Sequence, residues 1–480
     1  MNAQMTWLSE DEIDAVVAEA LGVLQHVGMR MTGSKALVAL AAAGARVEND
    51  VVHFPPELVR QALAQCPRVV TMAGQTPESD VVLDGTKSFF NVSGCGAKTL
   101  DFRTGQLRPS TLADLREGTA VLDATADLDV MWTFLTATDV ERGRRELVEY
   151  YTYLTETQKP IVFVDCPTEV DAVQRIIELL ADDAEAFRAR PRISVLCAIH
   201  APLDVNGALL DVTVRFAALG APVWVYSMPI AGATAPVTLA GTLALVWAEI
   251  LGTITAIQSI SPGAAVIACC GPGILDMRTT NMSLGCLENS IMGGASTQIG
   301  HHLGLPVHNS GLATDGKHLG IQTGYEKGLK VLAATATGAD IQSGGFGFLD
   351  SASVFHLPMI PIDAEIAAMA RRMVRGIEIS PGTLMGEAIA RVGIGGDFLR
   401  ERETRSRIRS GEHFMPRIAS RVSLDRWVKE PVTEIETATA IVEDALAARR
   451  GRSPYLADDV RAELAAICNV TPDETELAWL

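Results

Sequence analysis

Short β-branched and aromatic runs recur along this 480-residue chain, separated by longer segments with helical spacing. They are Ser88 to Val92, Val130 to Phe134, Ile161 to Asp165, Ile193 to Ile199, Val223 to Tyr226, Val266 to Cys270, Val307 to Asn309 and Ile341 to Ser343. Their spacing is typical of repeating strand-helix units, which calls for parallel pairing with crossover helices outside. Eight strand-helix repeats predict an α/β fold, a (β/α)8 TIM-like barrel closed by right-handed crossovers. An open doubly wound sheet ranks lower, because no glycine fingerprint follows the first run.

Ile13, Val16, Val17, Leu21 and Leu24 share one helical stripe and ELVRQAL forms a second helix, so residues 1–75 read as an N-terminal helical cap. Residues 76–360 then carry the barrel, as the catalytic domain. From about Asp363 the pattern turns helical and highly charged, in RRMVRGIEI, LRERETRSRIRSG, IVEDALAARR and DDVRAELAAI, which makes residues 361–480 a C-terminal helical extension. The Arg400 to Arg409 cluster either meets a negatively charged partner surface or, more commonly for such runs, forms a solvated face with internal Glu–Arg pairs. Leu239 to Ile260 is apolar enough to raise the question of a membrane span. Glu249, several threonines and two glycines within it favour a buried barrel helix instead, so no membrane partner is expected.

Composition narrows the function. At 48% hydrophobic residues the chain can bury a large core, and a formal net charge of −18 argues against nucleic-acid binding, which needs a basic face. The same acidity suits cationic ligands but is also ordinary solubility chemistry. Eight scattered cysteines and an acidic, unsignal-like start, MNAQMTWLSEDEIDAVVAEA, point to a reduced cytoplasmic protein. The apolar content and broad helices make a homo-oligomer the expectation, without fixing its symmetry.

The densest chemical signal is Val223 to Gly241, VWVYSMPIAGATAPVTLAG. Val223 to Tyr226 favour a strand, Met228-Pro229 stops it, and Pro236 suits the first turn of a following helix. Between them the small side chains at Gly232, Ala233 and Thr234 let backbone N–H groups approach a ligand at a helix start, although a tight packing loop would use the same residues.

That stretch, as SMPIAGATAPVTLAG, resembles the signature loop of the trimethylamine methyltransferase family, the corrinoid-dependent amine methyltransferases. The resemblance continues colinearly in HVGMRM near His26, FPPELVRQAL from Phe54, RPSTLADL from Arg108, AEILGTITAIQSISPGAAVIACC from Ala248 to Cys270, DMRT from Asp276 to Thr279 and QTGYEKGL from Gln322 to Leu329. It implies methyl transfer from a methylated amine to the Co(I) centre of a separate corrinoid protein. Cobalamin is then supplied by that partner, and no cofactor is bound tightly by this chain. Members specific for trimethylamine carry pyrrolysine, whose position is expected near Ser310 to Lys317; this sequence contains only standard residues. Members without it are associated with quaternary amines such as glycine betaine, which makes that class the expected substrate.

Barrel enzymes take their functional groups from the ends of several strands. Tyr226 follows the fifth run, Arg278 the sixth, Asp315 the seventh, and Phe346, Phe348, Phe355 and His356 the eighth. These are the candidate substrate-binding residues, with Gly232, Ala233 and Thr234 as backbone donors; no catalytic residue can be assigned. Aromatic faces would hold an onium ion by cation–π attraction. Asp165, Asp276, Asp315 and Asp350 are candidate counter-charges, each equally readable as a cap or turn residue. A substrate carboxylate could meet Arg278, Lys317, His356 or the loop N–H groups.

DGKHLG from Asp315 to Gly320 approaches the D-x-H-x-x-G pattern of corrinoid-binding proteins, but Asp and His stand three apart instead of two, which makes His318 an ordinary loop histidine. His301, His302 and His308 lie close in sequence without structural zinc spacing, so no metal is assigned. Two other readings stay open at this point: a non-catalytic binding protein for quaternary amines, and a zinc-dependent barrel enzyme acting on another substrate.

Overall fold

In the computed structural model, residues 4–475 are described apart from 95, 165–168, 182, 451, 453 and 454. Eight parallel strands form the centre: β1 Phe89–Phe90, β2 Met131–Trp132, β3 Ile161–Val164, β4 Ile193–Ala198, β5 Val223–Ser227, β6 Val266–Cys270, β7 Val307–Asn309 and β8 Ile341–Gln342. They pair in the order β1-β8-β7-β6-β5-β4-β3-β2. A parallel bridge between Asn91 and Val130 brings the two end strands together, with Val130 N–H donating to Phe90 O at 3.1 Å. Each strand is followed by a helix: α1 Leu112–Ala124, α2 Arg145–Glu156, α3 Val170–Leu180, α4 Gly207–Leu219, α5 Leu239–Ile260, α6 Leu287–His302, α7 Ile321–Thr337 and α8 Met359–Arg375. The eight β-rich runs therefore mark the eight strands of a TIM-like sheet. The expected domain limit at residue 360 falls at the start of α8, which belongs to the barrel's outer layer.

Alternation along each strand sets what faces the axis. Phe90 points outward, beneath the Arg371 guanidinium of α8 at 4.7 Å, so Asn91 points inward. Gln342 points outward to Ser88 and Thr335, so Ser343 points inward. On β5, Trp224 and Tyr226 share the inner face.

The helix α5 is apolar all round because both its sides are covered. One faces the barrel; the other packs against three N-terminal helices, Glu10–His26, Ala36–Ala42 and Pro56–Gln65. The first of these starts with a capping box between Ser9 and Glu12 and buries Ile13, Ala20 and Leu24. The N-terminal region is not purely helical, however: Met29–Arg30, Arg46–Glu48 and Val51–His53 form a small antiparallel sheet between its helices.

Two small sheets stand at the C-terminal end of the barrel. Ile230–Ala231, Gly273–Asp276 and Asn281–Ser283 join the loops after β5 and β6, while Lys98–Leu100, Leu107–Pro109, Phe348–Leu349 and Val354–Phe355 join those after β1 and β8. The RPSTLADL stretch anchors the second sheet. Its Arg108 bridges Asp101 at 2.9 Å and Asp114 at 2.6 Å, and Asp114 completes the capping box of α1 with Thr111.

Candidate functional site

The inner faces of β2, β5 and β7 bring four rings together at the C-terminal end of the barrel. The Trp132 ring centroid lies 5.6 Å from Trp224 and 6.2 Å from Tyr226, and His308 lies 5.5 Å from each of Trp224 and Tyr226. Trp224 and His308 are fully buried, Trp132 is nearly so, and Tyr226 is half-buried, so the cluster reaches solvent through Tyr226. Tyr226 Oη lies 3.4 Å from Ser310 Oγ, on the loop after β7. Gly271 makes that approach possible, since a Cβ there would lie 2.5 Å from Tyr226 Oη and 2.9 Å from Ser310 Oγ.

His308 Nε2 is hydrogen-bonded to Ser343 Oγ, and burial lowers its pKa to about 3, which keeps the imidazole neutral. Among the described residues, His308 Nδ1, Trp132 Nε1 and both polar atoms of the Asn91 amide are buried without a hydrogen-bond partner. Unpaired polar groups facing a barrel axis are what a bound polar molecule or an internal water would satisfy.

Of the residues singled out from sequence, Tyr226 lies in this cluster. The three phenylalanines of the last loop do not. Phe346, Phe348 and Phe355 are 0%, 1% and 0% exposed. Phe355 packs 5.1 Å from Phe134 and 5.2 Å from Phe348, ring to ring, so they build the wall under the small sheet and present no face to a ligand. His356 is held in the same wall, its Nδ1 2.8 Å from Leu100 O. Arg278 points to solvent and pairs with Asp276 at 2.8 Å. Those contacts, with the Arg278 and Thr279 N–H groups, hold Asp276 down at about 2.

The loop donors also have another use. Ala233 and Thr234 N–H both donate to Ile230 O at 2.9 Å, and Gly232 N–H donates to Ala235 O at 3.0 Å. The small residues close the loop on itself instead of offering N–H groups to a ligand. Nor does Pro236 start the helix, which begins at Leu239 after Thr238; Pro236 O instead accepts from Thr242 Oγ1 at 2.7 Å.

Asp315 is a clasp between loops. Ser283 and Ser351 hydroxyls and the Leu284 and Gly285 N–H groups all donate to it. Burial opposes its ionisation, but those four donors outweigh it and hold its pKa below the usual value. Lys317 pairs with Asp350 at 2.6 Å. Asp165 lies outside the described residues. Beneath this clasp, the QTGYEKGL stretch supplies Glu326, which accepts from Thr314 Oγ1 at 2.6 Å and Asp315 N–H at 2.8 Å, and Lys327, enclosed with Asp363.

The three histidines considered for zinc diverge: His301 goes to Asp340 at 2.8 Å, His302 to Asp14 at 3.2 Å and His308 to Ser343. Cys269 and Cys270 are buried thiols whose pKa values burial raises. Trp132, Trp224 and Asn91 were missed as site residues. The signal available for one of them was that Trp224 stands two positions before Tyr226 in one strand, and so on the same face.

A profile of the family described as trimethylamine methyltransferase (MTTB) matches residues 1–472. A glycine betaine methyltransferase of Desulfitobacterium hafniense strain Y51 is 27% identical over 444 residues, covering 92% of each chain. The trimethylamine methyltransferase MttB of another strain of that species (DSM 10664 / DCB-2) is 26% identical over 98% of this chain and 95% of its own. Among solved structures, the monomethylamine methyltransferase MtmB of Methanosarcina barkeri superposes with a TM-score of 0.55 at 13% identity, covering 92% of this chain and 87% of that one. A hydroxylamine complex of MtmB gives the same TM-score at 14% identity, over 92% and 88%.

Proposed function

This chain belongs to the trimethylamine methyltransferase family, and from that premise we propose that it removes a methyl group from a quaternary amine of the glycine betaine type and delivers it to a partner corrinoid protein. The observation that carries the substrate class is the Trp132–Tyr226 pair at the barrel mouth. A quaternary ammonium has no N–H to donate, and electron-rich ring faces hold it without a hydrogen bond, each contributing about 0.5–2 kcal/mol in a dry site. A sequence made of the twenty standard residues, without pyrrolysine, supports the same class.

A quaternary amine leaves as a neutral tertiary amine once its methyl carbon is attacked, so no residue has to protonate the leaving group. The task of this chain is then to hold the nitrogen deep and one N-methyl carbon outward, in line with the approaching nucleophile. Tyr226 and Trp132 hold the onium head, and the neutral His308 beside Tyr226 offers a polar contact without adding a repelling positive charge. The corrinoid, held on its own protein, supplies the nucleophile that takes the methyl group.

Its protein would dock on the mouth. The rim there exposes Met228, Val237, Met277, Leu287, Ile321 and Tyr325, all on the loops or first helical turns after β5, β6 and β7. An apolar rim around a polar-walled opening is the kind of surface a protein partner covers.

Incubating the purified chain with a reduced corrinoid protein and a panel of methylated amines tests this. Conversion of the cobalt spectrum to the methylated form with a betaine, and slower conversion with trimethylamine, is expected. Conversion with trimethylamine alone would remove the quaternary-amine assignment.

A further inference from the structure

Every group that the sequence offers for a substrate carboxylate is engaged elsewhere. Arg278 pairs with Asp276, Lys317 pairs with Asp350, His356 Nδ1 meets Leu100 O, and the N–H groups of Gly232 to Thr234 close their own loop. The barrel interior, in contrast, holds polar atoms that nothing engages. Asn91 Nδ2 and Oδ1, Trp132 Nε1, Trp224 Nε1 and His308 Nδ1 have no hydrogen-bond partner among the described residues, and each of these four residues is at most 5% exposed. Orphans of this kind are rare in a folded core, and each calls for a ligand or a water.

The four residues form one circuit on the inner faces of the strands. Trp132 packs against Trp224, Trp224 against His308, and His308 Nε2 meets Ser343 Oγ. Register closes the circuit. Gln342 pairs with Phe90, so Ser343 stands beside Asn91. The bridge from Asn91 to Val130 then sets the amide next to the residue two before Trp132, on the same face. All four are more deeply buried than Tyr226, so the circuit lies inward of the half-open ring pair.

Its polarity selects what fills it. Indole and amide nitrogens only donate. Ser343 Oγ has no other partner among the described residues, so its one proton goes to His308 Nε2, which leaves the imidazole's own hydrogen on Nδ1 as a further donor. Four N–H groups thus face a single unpaired acceptor, Asn91 Oδ1. A carboxylate, which only accepts, suits that set; a water molecule finds one acceptor for its two protons. None of the eight strands carries a Lys, Arg, Asp or Glu. A simple anion would therefore be buried there without a counter-charge, whereas a zwitterion brings its own.

We propose that the donors of Asn91, Trp132, Trp224 and His308 form a carboxylate subsite inward of Tyr226, which makes the substrate a zwitterionic betaine instead of a simple alkylammonium ion. The inference rests on the quaternary-amine reading above and refines it. With the carboxylate held inside, the nitrogen is drawn between the rings and an N-methyl carbon is left toward the mouth.

Calorimetric titration of the full chain with three probes tests it: glycine betaine, tetramethylammonium, and the carbon isostere of glycine betaine, an anion with no onium group. Glycine betaine should bind at least about 100-fold more tightly than tetramethylammonium, the equivalent of two hydrogen bonds to a charged group, and the isostere should not bind. Asn91→Leu, and Trp224→Phe, which keeps a ring and removes one N–H, should each weaken glycine betaine at least about tenfold and tetramethylammonium by less than about threefold. Thermal melts check that the variants are folded, and the wild-type comparison decides the point without them. Equal affinity for glycine betaine and tetramethylammonium overturns the subsite and leaves the quaternary-amine reading standing, as do equal losses of both in the folded variants. An isostere that binds as tightly as glycine betaine keeps a carboxylate subsite but overturns the zwitterion and the quaternary-amine reading with it. Binding of none of the three overturns both.

Discussion

Lys327 Nζ lies 2.8 Å from Asp363 Oδ2, and neither side chain has any exposure to solvent. The pair joins α7 to α8 and holds the loop between β8 and α8 from both sides. Lys327 also donates to Gly345 O at 2.8 Å, and Gly347 N–H donates to the same Asp363 oxygen at 2.7 Å. Burial pushes the lysine pKa down and the aspartate pKa up, yet each group is the other's principal compensation. Lys327→Met should therefore cost about 3–5 kcal/mol of stability, because it strands a buried carboxylate. The double variant Lys327→Met with Asp363→Leu should be less destabilised than either single variant, which urea unfolding of all four proteins will show.

His308 sets an acid limit. Its pKa of about 3 in the folded chain lies below the ordinary histidine value, so the unfolded chain binds one more proton across the interval between them. The stabilisation is complete above about pH 6.5 and is lost as pH falls toward 3, by about 1.4 kcal/mol per unit. Going from pH 7.5 to 5 should thus remove about 2 kcal/mol through this residue. In His308→Gln the loss over that range should be smaller by this amount, as read from denaturation midpoints at the two pH values.

Ring identity at Tyr226 separates cation recognition from packing. Tyr226→Phe keeps the face and should change KM for a betaine by less than about threefold, whereas Tyr226→Leu should raise it about 2–30-fold, the equivalent of one cation–π contact. Equal effects of the two substitutions would assign the residue's importance to its hydroxyl and Ser310.

Gly271 reports on how closely the tyrosine must be placed. Gly271→Ala inserts a methyl group 2.5 Å from Tyr226 Oη, so the ring must turn away. Methyl transfer should fall at least about tenfold while the melting temperature drops only slightly, since small displacements in a positioning site cost rate more than stability. Steady-state kinetics alongside a thermal melt distinguishes the two.

Much of the barrel is legible in the linear pattern. Ile161, Ile193 and Val266 open both the sequence runs and the strands, because parallel strands covered on both faces are rich in apolar and β-branched residues. The loops are less legible. Phe346, Phe348 and Phe355 read as a binding cup because aromatics are scarce in the chain, yet a ring near a strand end can as easily face the wall as the mouth. The N–H groups of Gly232 to Thr234 read as free donors, whereas Ile230 O and Ala235 O, close in the loop, take all three. Trp132 went unremarked because its neighbours Trp224 and Tyr226 lie some ninety residues away, and only barrel closure brings them together.

The account turns on where the onium group sits. A crystal structure with a betaine bound should place the nitrogen within about 6 Å of the Trp132 and Tyr226 ring centroids, with one N-methyl carbon facing the barrel mouth. A betaine found elsewhere in the protein, with those two rings unoccupied, would contradict it.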